Sequence, residues 1–237
     1  MPRLFRSIPV VALCVSALSV LAFGCDGTIS VTFSTGPQEF EVSTMSLALP
    51  MELRDGTSGN IASVPCGPMG MCPPSDEVTL DCNADVCDPA PKTISAPGSI
   101  IDIDALLAET SEIGLNVVDS YSVERVAYEI QLNTLTVPIN DIEVYWGPAA
   151  ATSIDPALGV RPFGRIPAIP AGATPSGNMI IDGAGVMALS DYLVAGNGRI
   201  RLFAQTIVDL DPGDPFPEGS VRMSVNATVR AVGSLLE

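Results

Sequence analysis

Apolar and polar residues alternate along several segments of this chain, as in a β-strand with one buried face and one face in water. The clearest case is 220–231, where every second residue from Val221 to Ala231 is apolar. The same period of two occurs over 28–34 and over 142–146, which puts Trp146 on the buried face of its strand. We therefore predict a strand in each of these segments.

The alternation changes phase in the middle of the chain. Every second residue from Val126 to Leu132 is apolar, whereas Leu135 and Val137 continue the pattern on the other parity. A slip of one residue turns a strand over. We predict a bulge or bend near Asn133, at which the chain passes from one sheet to another.

Other segments predict hairpins, short helices and excursions. Residues 200–208 are the expected hairpin partner of 220–231, joined through a long proline-stiffened loop at 209–219. Helical signals are confined to 104–107, with Asp104 as N-cap, and to 186–193. The tract 148–175 predicts either a surface excursion or two short edge strands. The whole sequence has 21 Gly and 21 Pro, and the turns between the predicted strands are rich in both. The chain therefore predicts an all-β, antiparallel two-sheet sandwich, immunoglobulin-like or jelly-roll-like, with a disulfide-stapled loop and one or two short helices.

The first 24 residues have the features of a signal peptide. Arg3 and Arg6 precede an uncharged apolar run over 7–24. The run ends in Leu21-Ala22-Phe23-Gly24-Cys25, which resembles the lipobox of bacterial lipoproteins. The resemblance implies cleavage after residue 24, a lipid on Cys25 and attachment to the inner or outer membrane. Ordinary signal-peptidase cleavage and an uncleaved anchor are the alternatives, and all three place a single domain, 25–237, outside the cytoplasm.

The number of cysteines favours the lipid. Without Cys14 of the leader five cysteines remain, an odd number for an exported protein, in which thiols tend to be oxidised. If Cys25 carries lipid, the other four form two disulfides: Cys66, Cys72, Cys82 and Cys87. They lie in a Pro- and Gly-rich insertion at about 62–91, which needs such staples because few of its residues can form a core. A four-cysteine zinc site is the competing interpretation, but the paired Cys-x-x-Cys spacing is missing. Of the three possible connectivities, we favour the local pairs Cys66–Cys72 and Cys82–Cys87.

Charge and composition narrow the function. Acidic residues outnumber basic ones by 27 to 11, and a net charge of −16 repels nucleic acid. The chain has no histidine, which removes histidine-dependent triads and histidine-ligated metal sites. No catalytic motif is present, so we expect a protein without enzymatic activity and without catalytic residues. A carboxylate-dependent hydrolase is the remaining enzymatic alternative.

The loop at 209–219 is a candidate calcium site because carboxylates crowd within it: Asp209, Asp211, Asp214 and Glu218. Calcium prefers several oxygen ligands, which loops often supply. The competing interpretation is a solvated loop in an acidic protein. Asp102 and Asp104, which would share one strand face, form a weaker candidate.

These observations predict a non-enzymatic, lipid-anchored cell-envelope protein that serves as a structural or protein-interaction module. Its expected partners are the membrane, through the anchor, and an envelope protein or glycan. A calcium- or carbohydrate-binding module is the alternative, and the stapled insertion provides a rigid protrusion for recognition. Beyond the leader, the domain resembles uncharacterised β-sandwich envelope lipoproteins of bacteria, a resemblance that implies no site residues.

Overall fold

The structure, a computed structural model, describes residues 22–23, 28–47, 49–74, 78–110 and 117–234. Most of the predicted leader and the predicted lipidation site, Cys25, lie outside these residues. The strands are β1 (Ala22–Phe23), β2 (Thr28–Ser34), β3 (Gln38–Ser43), β4 (Val64–Pro65), β5 (Leu80–Asn83), β6 (Val86–Pro89), β7 (Lys92–Asp102), β8 (Val117–Asn133), β9 (Ile142–Pro148), β10 (Arg161–Ile166), β11 (Ser176–Asn178), β12 (Ile180–Ile181), β13 (Arg199–Val208) and β14 (Ser220–Ser234). The helices are α1 (Ile103–Thr110) and α2 (Gly183–Val194), with short 3₁₀ turns at Thr44–Leu47, Met51–Leu53, Pro68–Gly70 and Pro156–Leu158.

Two antiparallel sheets form the predicted sandwich. One has the order β1-β2-β14-β8-β11, with β3 also paired to β14, and the other has the order β12-β10-β9-β13-β7. Buried apolar residues of both sheets make one continuous core between them. A small third sheet, β4-β6-β5, belongs to the cysteine-rich insertion. The predicted all-β fold class is confirmed.

Strand β14 lies at the centre of the six-stranded sheet and shows why the alternation is so regular there. Its apolar residues from Val221 to Ala231 are all buried, while Arg222 and Arg230 on the opposite face are exposed. On one side it pairs with β8 over its whole length. On the other side it pairs first with β3 and then with β2, so that these two strands lie end to end along it.

The predicted hairpin between 200–208 and 220–231 is wrong. Strand β13 pairs with β7 and β9 in the five-stranded sheet, whereas β14 belongs to the other sheet. The loop between them crosses the end of the sandwich and buries Leu210 and Phe216 in the core. A period of two specifies which face of a strand is buried, but it does not determine which strand lies beside it in the sheet.

The predicted passage between sheets is confirmed, because β8 and β9 belong to different sheets. The phase change comes slightly earlier than expected. Ile130 pairs with Met223 and Leu132 with Arg222, so Gln131 is an extra residue in β8. The bulge turns Leu132 outward, with 41% of its surface exposed, and turns Asn133 inward.

The helices lie near the predicted positions, with one correction. The α1 N-cap is Asp102, whose Oδ1 accepts a hydrogen bond from the Ala105 amide at 3.0 Å. Asp104 lies within α1 itself, so it does not share a strand face with Asp102. Within the described residues no helix is long and apolar enough to cross a membrane.

The tract 148–175 begins as the predicted surface excursion and continues into a strand. Its first part is an excursion that covers the outer face of the five-stranded sheet, where Ala151 and Val160 pack on Phe203 in a second small core. The chain then enters the sheet as β10, which pairs with both β9 and β12. The tract therefore supplies an internal strand, where we expected only edge strands.

Candidate functional site

The cysteine-rich insertion, residues 62–91, forms a compact unit that we call the stapled module. Its disulfides are Cys66–Cys82 and Cys72–Cys87, so the expected local pairing is wrong. Cys82 and Cys87 lie opposite each other on β5 and β6. Each is bonded to a residue of the preceding loop, and the two bonds thereby hold that loop against the hairpin.

Hydrogen bonds add to these covalent links. Strands β5 and β6 are joined by a tight turn in which Ala84 and Asp85 both have positive φ, 49° and 66°. The amide of Cys66 donates to the carbonyl of Asp85 at 2.9 Å, and that of Ala90 donates to Thr79 at 2.9 Å. The backbone of the module is therefore fixed at both of its ends.

Methionines occupy the outside of this rigid unit. Met69 is 90% exposed and Met71 is 57% exposed, whereas Cys87 is completely buried. The chain at the tip has left-handed backbone at Met69 and Gly70, with φ of 66° and 72°. Two large apolar side chains are thus held in water by a covalently restrained scaffold, and exposed methionine is a feature of surfaces that accept protein partners.

The stapled module is acidic. The sequence from 62 to 91 contains five acidic residues and no lysine or arginine. Asp81 and Asp85 are exposed, and Asp81 lies opposite Asp88 across the two strands. The module therefore combines apolar contact points with a negative field.

Backbone and side-chain contacts attach the module to one end of the sandwich. Val78 is buried beside Leu210 and Val208 of the sandwich. The ammonium group of Lys92 donates to the carbonyl of Leu47 at 2.8 Å. Just before the module, the Ile61 amide donates to Asp214 of the crossing loop at 2.7 Å.

The chain enters the sandwich at the opposite end. β2 begins at Thr28, which pairs with Ser234 at the end of β14, while the module adjoins Val208 and the crossing loop that leads into Ser220 at the start of β14. Strand β14 has 15 residues, and at ~3.3 Å per residue it spans about 50 Å. We call the two ends the entry end and the distal end.

The structure does not bring together the four acids of the candidate calcium loop. Glu218 pairs with Arg54 at 2.6 Å, and Asp214 accepts a hydrogen bond from the Asp211 amide at 3.0 Å. Within the described part of the chain, the group of three or more potential metal ligands with atoms inside 4.8 Å of one another consists of Cys66, Cys72 and Cys87. These sulfur atoms belong to the two disulfides, which occupy the place of the alternative zinc site.

Hydrogen bonds to neighbouring segments hold the loop at 209–219. The Thr136 hydroxyl donates to the Phe216 carbonyl at 2.8 Å and accepts from the Glu218 amide at 2.8 Å. The Gly213 amide donates to Ile61 at 2.9 Å. The loop is therefore ordered by its neighbours.

A tyrosine and a carboxylate form a close pair on the outer face of the five-stranded sheet. The hydroxyl of Tyr145 donates to the carboxylate of Glu143. Partial burial, and then the hydrogen bond and the charge of Glu143, raise the pKa of Tyr145 to about 12. The alternation already placed both residues outward, but the pairing of residues two apart on one face was not anticipated.

Two other groups have shifted pKa values for local reasons. Burial and then the charge of Asp104 raise the pKa of Tyr121. The Thr57 amide, at 2.8 Å, and the Ser58 hydroxyl, at 2.8 Å, lower the pKa of Asp55 in an exposed turn. Both shifts follow from ordinary structural contacts.

Comparison with known proteins adds no family. No protein-family model matches the chain, and no curated protein matches it. One solved structure, titled turnip yellow mosaic virus, is similar at 12% identity over 75% of this chain and 93% of the other, with a TM-score of 0.23. This TM-score is too low to indicate a shared fold or a shared function.

Proposed function

We propose that this chain is a non-enzymatic, lipid-anchored protein of the bacterial cell envelope that presents the stapled module to a protein partner. The observation that carries the proposal is the arrangement of the two ends. The chain enters the sandwich at one end, and the module with its exposed Met69 lies at the other.

The anchor follows from the leader. Cys25 precedes the start of β2 by three residues, a length of at most about 10 Å when extended. A lipid on Cys25 would therefore hold the entry end close to the bilayer. The sandwich would then act as a rigid spacer that keeps the stapled module about 50 Å further out.

The partner is inferred from the surface of the module. Met69 and Met71 offer adaptable apolar contacts, and the disulfides reduce the conformational entropy lost on binding. The acids of the module favour a partner whose contact surface carries lysine or arginine as well as apolar residues.

Two measurements test the anchor. Mass spectrometry of the mature protein is expected to find Cys25 as an acylated first residue. The Cys25→Ser variant is expected to leave the membrane fraction. A mature protein with an unmodified Cys25, or one that begins at another residue, would refute the anchor.

Site-specific photo-cross-linking in cells tests the module. A photoreactive residue in place of Met69 is expected to give a discrete adduct with one envelope protein. Met187 on α2 is the matched control, because it is also exposed, at 65%, and lies outside the stapled module. Equal labelling from both positions, or no discrete adduct from position 69, would contradict the proposal.

A further inference from the structure

The outer face of the six-stranded sheet carries a groove of polar residues that the proposed function does not use. Asn178 of β11 lies opposite Ala127 of β8, which in turn lies opposite Asn226 of β14. Arg125 and Glu129 lie along β8 two residues to either side of Ala127. We call this surface, with a volume of about 610 Å³, the polar groove.

A small floor and longer walls give the polar groove its shape. Neighbouring strands are about 4.8 Å apart, so the two asparagines lie about 10 Å from each other across Ala127. Arg125 and Glu129 lie about 13 Å apart along the strand. Ser224, opposite Glu129, adds a second small residue to the floor. These dimensions match one or two sugar rings.

The break between β2 and β3 forms one edge of the groove and orients Asn226. The Thr35 hydroxyl accepts a hydrogen bond from the Ala227 amide at 3.0 Å, which ends the regular pairing and leaves Pro37 at the rim. Beside it, the Ser34 hydroxyl donates to Oδ1 of Asn226 at 2.7 Å. The amide nitrogen of Asn226 keeps its donors available to a ligand.

The other polar side chains of the groove are available as well. Within the described residues Arg125, Glu129 and Asn178 make no side-chain hydrogen bond or ion pair. The amide of Asn178 supplies donors and an acceptor, Arg125 supplies donors and Glu129 supplies acceptors. Hydrogen-bond donors and acceptors therefore line the groove, and the small residues of its floor leave room for a ligand.

We propose that the polar groove binds a neutral glycan. Its one guanidinium and one carboxylate balance each other, in contrast to the net charge of −16 of the whole chain. Polyanionic ligands are opposed by that overall charge, and a metal ion would need more than one carboxylate. Adjacent hydroxyl groups of an uncharged sugar both donate and accept, which matches the mixture of amide, guanidinium and carboxylate groups.

Nuclear magnetic resonance of the isotope-labelled protein tests this site with three neutral disaccharides: maltose, cellobiose and N,N′-diacetylchitobiose. At least one of them is expected to shift the side-chain amide signals of Asn178 and Asn226 in a saturable manner. Asn178→Ala and Asn226→Ala should each weaken binding by roughly tenfold, the effect of losing one or two hydrogen bonds.

The matched control is Asn197→Ala. Asn197 is also an exposed asparagine, but its amide donates to Tyr192 at 3.2 Å in the turn after α2, outside the groove. This variant should keep the affinity of the unchanged protein. The proposal is overturned if none of the three sugars shifts the groove signals, if the shifts are spread over the surface, or if all three variants bind equally. Tighter binding of a uronic-acid disaccharide would overturn the assignment to neutral glycans.

Discussion

Gly185, in the first turn of α2, is the described glycine at which an added Cβ would have the least room. A Cβ atom there would lie 1.7 Å from the carbonyl oxygen of Pro162 in β10 and 2.8 Å from its carbonyl carbon. In proteins a Cβ atom essentially never lies within 3.0 Å of a heavy atom of another residue that is not its neighbour in the chain. The substitution Gly185→Ala therefore requires α2 and β10 to separate by more than about 1 Å, since the obstacle is backbone and cannot rotate away.

That separation breaks polar contacts as well as packing. The carbonyl of Gly185 accepts a hydrogen bond from the indole Nε1 of Trp146 at 2.9 Å, and its amide donates to the N-cap Asp182 at 2.6 Å. Overpacking costs about 1 to 3 kcal/mol, and a buried polar group left without a partner costs about 1 to 3 kcal/mol more. We expect Gly185→Ala to lower the free energy of unfolding by about 3 kcal/mol or more, which corresponds to a Tm roughly 10 °C lower in a chain of this size.

Urea unfolding followed by tryptophan emission measures this directly. Trp146 is the only tryptophan, and it is 2% exposed beside the site of the change. Gly183→Ala is the matched control in the same helix, because a Cβ at Gly183 meets no atom within 4 Å. The control should be neutral or more stable by up to about 1 kcal/mol through helix propensity. If Gly185→Ala stays within about 1 kcal/mol of the unchanged protein, the close packing of α2 on β10 is refuted.

Three further outcomes are expected. Replacing Cys66 and Cys82 by alanine removes a link between residues 16 apart, worth about 3 kcal/mol of loop closure; limited proteolysis should then cut within 62–91, and a first cut elsewhere would contradict this. Millimolar calcium should leave the Tm unchanged, because the carboxylates of 209–219 do not converge, and a saturable rise would show that they do. The raised pKa of Tyr145 contributes stability that is complete below pH 10 and lost as the pH rises towards 12; Tyr145→Phe should remove that part of the alkaline loss in urea midpoints, and an unchanged pH profile would argue against the pair.

Patterns within one segment predicted the structure of that segment well. The alternation in β14 and β2 gave the buried faces correctly, and the change of phase near Asn133 indicated the passage between sheets. Helical spacing before Gly196 predicted α2. These signals are local, because each depends only on which side of its own backbone a side chain lies.

Relations between segments were predicted less well. Strand β13 follows the alternation but pairs with β7 and β9, and nothing in its own residues selects those neighbours. The cysteines of the stapled module show the same limit. The number of cysteines predicted two disulfides. Their pairing depends on the β5–β6 hairpin, in which Cys82 and Cys87 lie opposite each other. Cys82 is bonded to Cys66 and Cys87 to Cys72.

The candidate calcium loop and the polar groove both show that closeness in sequence does not predict a binding site. The acids of 209–219 are close in sequence, yet the loop buries Leu210 and Phe216 and is bound by Thr136. Glu218 pairs with Arg54 and Asp214 accepts from the Asp211 amide, and the four carboxylates do not form one cluster. Asn178 and Asn226 are far apart in sequence, yet both flank Ala127 because β11 and β14 pair with the two edges of β8. In a sandwich of long antiparallel strands, the order of strands in the sheet decides which polar groups meet. A search for binding sites in such chains should therefore begin with the outward residues that share a row across neighbouring strands.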